Sequence, residues 1–233
     1  MPDKISKVPC VVADNIGTIR NKISAATMAY QTQVGMARPV TLVAVSKRQP
    51  SDRIDAALTA GQRVFGENRV QEANGRWAHR RELYADLKLH LIGPLQTNKV
   101  SDAVTLFNVI EVVDRPKLAR VLGAEMVRQN RQLECYIQVN TGEEQQKSGI
   151  APDDADDFIV YCRDEAKLKI TGLMCIPPVD EEVSMHFALL KTIAERNSIF
   201  TLSMGMSDDF EEAITFGANS VRIGSAIFGQ REE

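Results

Sequence analysis

Histidine, cysteine and basic charge are scarce in this chain, and each shortage removes a class of function. Only three histidines, His79, His90 and His186, occur in 233 residues. No two stand at the spacing that places ligands on one helix face, so a histidine-based metal site or triad has little to stand on. The four cysteines, Cys10, Cys135, Cys162 and Cys175, show neither CxxC spacing nor a histidine cluster. That argues against zinc and dithiol redox chemistry and for reduced thiols in a cytoplasmic protein. A formal net charge of −3, with no basic run interleaved with aromatics, leaves no nucleic-acid footprint. No apolar run approaches the length of a membrane span, and the opening MPDKISKVPC lacks the apolar core of a signal peptide. These absences point to a soluble cytoplasmic protein with a small-molecule partner and no metal.

What the chain does have is a repeated order of short apolar runs and helix-forming stretches. Eight runs, 41–47, 62–68, 89–95, 108–114, 134–140, 169–176, 201–206 and 219–224, are rich in Val, Ile and Leu without strict alternation, as strands covered on both faces require. Between them lie helix signals. Ser51-Asp52 opens a run that Gly61 stops, Asp114 and Pro116 open one reaching Arg128, and Ser207-Asp208-Asp209 opens one that Gly217 stops. A further helix is expected over about 11–34, before the first strand. Eight parallel strands alternating with helices predict a single (β/α)₈ TIM barrel spanning 1–233. No full helix follows the eighth strand, and the N-terminal helix is expected to cover that vacancy. An open doubly wound sheet is the competing fold, weakened because no GxGxxG follows the first strand.

In such a barrel the active site lies at the carboxyl ends of the strands. The residues there are Lys47, Asn68, Gln96, Asn140, Ser207, Arg222, Gly224 and Ser225. Alternation puts Lys47 on the face of Val43 and Val45, so if those two valines fill the barrel the amine points into its mouth. An amine desolvated there becomes a nucleophile toward carbonyls; the alternative is a lysine reaching out to solvent. The loops after strands seven and eight commonly hold phosphate. Ser207 as an N-cap, Gly224 admitting close backbone approach, and the Ser225 amide and hydroxyl would form a cup for it. Asp208, Asp209, Glu211 and Glu212 oppose that reading unless they face outward. Amine and cup together suggest a phosphorylated carbonyl ligand, either a sugar phosphate in an aldolase or pyridoxal 5′-phosphate. Arg222, two residues before Gly224 and able only to donate, would keep a pyridine nitrogen unprotonated, which favours the second. Trp77 and His79, in NGRWAHRRE, read as an exposed helix face.

Seven motifs in order resemble the pyridoxal phosphate homeostasis proteins, which share the barrel of the alanine racemase N-terminal domain. They are AVSK ending at Lys47, FGEN ending at Asn68 with VQE after Arg69, HLIGPLQTNK from His90, KSGI from Lys147, GLMCIP from Gly172, SMGMSDDFEEAI from Ser203 and VRIGSAIFG from Val221. The resemblance implies that Lys47 carries the cofactor as a Schiff base, that Ser207, Gly224 and Ser225 bind its phosphate, that Arg222 faces the ring nitrogen and that Asn68 lies beside the ring. Relatives typically carry threonine where this chain has Ser225 and serine where it has Thr97, and both exchanges keep a hydroxyl. It further implies a non-catalytic role in vitamin B6 homeostasis, buffering the cofactor or handing it to apo-enzymes. A second acid/base, which racemases draw from another domain, has no source in a chain ending at Glu233; this also makes a monomer the expectation. A slow amino-acid racemase is the rival. Lys147 is either a loop amine that guards the pocket or a solvated side chain, and Lys99 is expected to flank a helix start beneath the site.

Overall fold

The computed structural model describes residues 8–36 and 38–229. All eight expected strands are present, each shorter than its apolar run: β1 Thr41–Val45, β2 Val64–Glu67, β3 Lys88–Leu91, β4 Val109–Val113, β5 Glu134–Gln138, β6 Lys169–Met174, β7 Thr201–Ser203 and β8 Ser220–Ile223. They pair in chain order, all parallel, and β8 closes on β1 with Val43 opposite Arg222 and Ala44 opposite Ile223. The closed barrel excludes the open sheet. Several apolar runs continue past the strands into buried mouth residues such as Leu95, Val139, Cys175 and Met204. Gln96 is the casualty of that overshoot: β3 ends at Leu91, and Gln96 sits exposed in the following loop.

Around the barrel run α2 Ser51–Thr59, α3 Val70–Leu83, α4 Val100–Leu106, α5 Pro116–Arg128, α6 Ala155–Asp164, α7 Val183–Arg196 and α8 Phe210–Thr215, with a single turn, α9 Ser225–Phe228, after β8. The long α1, Val8–Val34, packs against α2, α8 and α9 and so fills the place left where no full helix follows β8. Val12, Ile16, Ile19 and Ile23 recur at helical spacing and are all buried on that face. Asn15 Nδ2 donates to the Ile227 carbonyl at 2.9 Å, and Lys22 pairs with Glu211 at 2.8 Å, tying α1 to the last two helices.

Alternation along the strands divides the molecule. Leu42, Ala44, Phe65, Leu89 and Ile110 belong to one apolar core between barrel and helices. The opposite face lines the barrel, where Val43 Cγ1 lies 3.0 Å from the place a side chain on Gly66 would occupy. Val43 and Val45 are both buried, Val43 against Gly66 and Val45 against Gly224. This interior is not wholly apolar. His90, Glu111, Ser203 and Arg222 are all buried, and contacts run from one to the next across it.

Trp77 departs from expectation. It lies on α3 but is fully buried, and its indole Nε1 donates to Glu67 Oε1 at 2.9 Å. Its neighbour His79 is exposed as expected. The polar surroundings of Trp77 in sequence concealed a carboxylate that only the fold brings near. No helix among the described residues is long and apolar enough to cross a membrane.

Candidate functional site

The carboxyl mouth of the barrel is built on two adjoining strand ends. Ser46, just past β1, donates its hydroxyl to Glu67 Oε1 at 2.7 Å, and its backbone N–H reaches the Gly66 carbonyl at 3.1 Å. Glu67 is fully buried and also takes two contacts of 2.9 Å from Arg76 Nη1 besides the Trp77 bond. A buried carboxylate with all these donors is compensated, and it fixes β1 and β2 to α3 at the point where Lys47 and Asn68 emerge. Lys47 follows in a turn closed by Gln49 N–H to the Ser46 carbonyl, with Arg48 at φ +58°, and is half-buried. Asn68 lies so close to the β3 loop that a Cβ on Gly93 would come within 2.5 Å of its carbonyl oxygen. Glycine in HLIGPL is thus demanded by the close approach of FGEN.

On the other side, Val45 lies against Gly224, where a Cβ would meet it at 3.4 Å, an ordinary contact. The protein's own packing therefore makes little demand for glycine there. Ser225 opens α9, whose first N–H groups have no intrahelical acceptor. Its hydroxyl donates to Ser207 Oγ at 3.1 Å, joining the loops after β7 and β8.

Ser207 is not an N-cap. α8 begins at Phe210, with Asp209 in the cap position, and Ser207 lies in the turn before it. That turn is shaped by Asp209, whose Oδ1 accepts from the Met206 N–H at 2.5 Å, and the early acidic run misled the helix boundary. Two of the four acidic groups are accounted for away from a ligand, Asp209 in this turn and Glu211 on Lys22.

Below the cup, Arg222 is buried in the barrel. Its Nη1 donates to Ser203 Oγ at 2.6 Å and its Nη2 to the Cys175 carbonyl at 2.8 Å. Ser203 in turn donates to Glu111 Oε2 at 2.6 Å, and Glu111 Oε1 meets His90 Nδ1 at 2.6 Å. Burial pushes the Glu111 carboxyl up, but the His90 bond and charge, Arg222 and Ser203 outweigh it and hold the group below its ordinary range. Sequence reasoning missed Glu111, Ser203 and His90 as a group. The available signal was a lone Glu inside the apolar run VIEVV.

Other candidates have settled roles. Asn140 spends its amide on closing its own loop, Nδ2 donating to the Glu144 carbonyl at 2.9 Å. Lys147 is half-buried and paired with Glu144 at 2.5 Å, and the KSGI segment folds back onto β5 through a bridge between Val139 and Ile150. Lys99 ends a 3₁₀ turn and leads into α4, as expected. The four thiols are free, and burial pushes Cys162 and Cys175 up to about 12, which keeps both protonated. No cluster of three metal-ligating side chains occurs among the described residues.

Fit to a phosphorylated pyridine can be judged on two features of this mouth. Asn68 Oδ1 is buried without a hydrogen-bond partner in the protein, an uncompensated acceptor beside Lys47. The Ser207 and Ser225 hydroxyls converge on one another next to free helix-start N–H groups, a donor set suited to an oxyanion. Both features fit.

Comparison with known proteins places this geometry among relatives. The model of the alanine racemase N-terminal domain matches residues 22–232. The pyridoxal phosphate homeostasis protein of Escherichia coli K12 is 38% identical over 231 residues, covering 95% of this chain and 97% of the relative. Its namesake from Pseudomonas aeruginosa is 38% identical over 226 residues, covering 95% and 96%. The structure of PipY from Synechococcus elongatus with PLP bound is 32% identical with a TM-score of 0.79, covering 94% of this chain and all of that one. An alanine racemase from Clostridium difficile shares the fold at a TM-score of 0.69 and 12% identity, with 58% of its length covered.

Proposed function

The chain belongs to the alanine racemase N-terminal domain family, and from that membership we propose that it is a pyridoxal 5′-phosphate-binding protein of vitamin B6 homeostasis, holding the cofactor as a Schiff base on Lys47. Relatives at 38% identity over nearly their whole length are named for that homeostasis and not for an enzymatic activity. The observation that carries the reading to particular residues is the joining of the β7 and β8 loops through Ser207 and Ser225, at the end of the barrel where Lys47 emerges.

In this reading each group has one task. The Ser207 and Ser225 hydroxyls, with the open N–H groups at the start of α9, bind the phosphate, and Gly224 leaves the space above them clear. Arg222 donates toward the ring nitrogen; a guanidinium that cannot give up its proton leaves that nitrogen without one. Asn68 orients its amide along the ring. Lys47 supplies the amine. When bound, the cofactor offers an aldehyde that such an amine can capture reversibly. A single residue range, 1–233, forms one binding domain that acts as a cytoplasmic monomer and passes the cofactor to apo-enzymes.

The test is the absorption spectrum of the purified protein before and after borohydride reduction, with the reduced adduct mapped to a peptide. A visible band in the wild type, fixed by reduction onto Lys47 and missing from Lys47→Ala, is the expected result. A protein that takes up no added pyridoxal 5′-phosphate would overturn the reading.

A further inference from the structure

We infer that Glu111 and His90 are positioning residues of this site, which act through Ser203 to fix the direction in which the Arg222 guanidinium faces the cofactor's ring nitrogen. The inference rests on the cofactor reading above and extends it to residues that touch no ligand.

With Glu111 ionised, as Arg222, Ser203 and His90 hold it, the four groups form one directed chain of hydrogen bonds. Arg222 has donors and no acceptor, so at 2.6 Å the Ser203 hydroxyl accepts from it. That hydroxyl has a single proton, and it goes to Glu111 Oε2, also at 2.6 Å. As a carboxylate, Glu111 accepts on both oxygens, and His90 Nδ1 then carries the proton in the 2.6 Å contact with Oε1. Each member thus dictates the orientation of the next. The Ser203 oxygen is held where one face of Arg222 must meet it, while the Cys175 carbonyl holds Nη2. These contacts engage two of the five guanidinium N–H groups.

A structural role alone explains this group poorly. Glu111 is fully buried in the middle of β4, and every other residue of that strand is a buried Val or Ile. An apolar residue there would fill the barrel without the desolvation a buried carboxylate suffers, and such replacements are often neutral or stabilising. What an apolar residue would not supply is a counter-charge two hydrogen bonds from Arg222. Nor would it supply a reason for the Ser203 hydroxyl to point away from the guanidinium. His90 extends the chain through the depth of the barrel. Its ring forms part of a concavity of about 510 Å³ at the amino-terminal end, together with Tyr136 and Ser220, opposite the mouth that holds Lys47.

The experiment uses the full chain loaded with pyridoxal 5′-phosphate labelled with ¹⁵N in the ring, comparing wild type, Glu111→Gln and Ser203→Ala by ¹⁵N NMR and by the dissociation constant for the cofactor. Ser203→Ala deletes one oxygen and leaves the Glu111–His90 pair intact, so it keeps the question open if Glu111→Gln fails to fold. The expected result is an unprotonated ring nitrogen in the wild type that moves toward the pyridinium position in both variants. Affinity should fall on the order of tenfold, as for loss of a hydrogen bond to a charged group. A folded Ser203→Ala protein with the wild-type ring-nitrogen resonance and affinity would overturn the inference while leaving the cofactor reading standing. A wild-type protein that binds no cofactor would instead bring down both.

Discussion

At the scale of single residues, the barrel interior concentrates charge where a structural protein would avoid it. Glu111 is held ionised against its burial, so its folded carboxyl titrates below the ordinary range of about 4.3. A group whose value is lowered by folding contributes stability that is present above the unfolded value and lost as pH falls through the folded one. Glu111→Gln should therefore cost stability at pH 7, by about 3 kcal/mol if it behaves as a broken buried pair. The gap between wild type and variant should narrow as pH drops below about 4. Urea titrations at a series of pH values would read this directly, and a gap that stays constant down to pH 3 would contradict it. Lys47 and Asn68 are set by residues that carry no chemistry themselves: Glu67 holds their strand ends, and Gly93 gives Asn68 room.

Elements supply the next level of order. α3 looks weakly amphipathic in sequence, yet it delivers Arg76 and Trp77 to the same buried carboxylate. Phe65 on β2 packs against Trp77 with ring centroids 4.6 Å apart, so the indole joins the outer core and the polar clamp at once. Trp77→Phe keeps most of the packing and removes the N–H. It should lower stability by about 1–2 kcal/mol, the usual effect of leaving a buried acceptor short of one donor. The cofactor constant should also weaken, because β1 and β2 share that clamp. Denaturant unfolding and a cofactor titration on the one variant would separate the two effects, and an unchanged unfolding midpoint would show that the clamp does not need the indole.

For the whole molecule, β8 closes the barrel on β1 and α1 covers the outer face where no full helix follows β8. That helix packs against α2, α8 and α9. The proposed monomer should sediment as one species near 25.8 kDa, with and without cofactor. A stable dimer at micromolar concentration would reject it.

Much of this was readable from residue order. The number and sequence of strands, the N-terminal helix, and the placing of Lys47, Asn68, Arg222, Gly224 and Ser225 at one end of the barrel follow from period, composition and the rule that parallel strands end at the functional face. Those are local properties, and the sequence carries them unaided. The tertiary structure alone decided the partners of buried polar groups. Glu67 with Trp77, and Glu111 with Ser203 and His90, join positions on different strands or helices, as Ser207 in its turn meets Ser225 at the exposed start of α9. No periodicity records which carboxylate a distant donor will meet, because those meetings depend on how eight strands close into one ring.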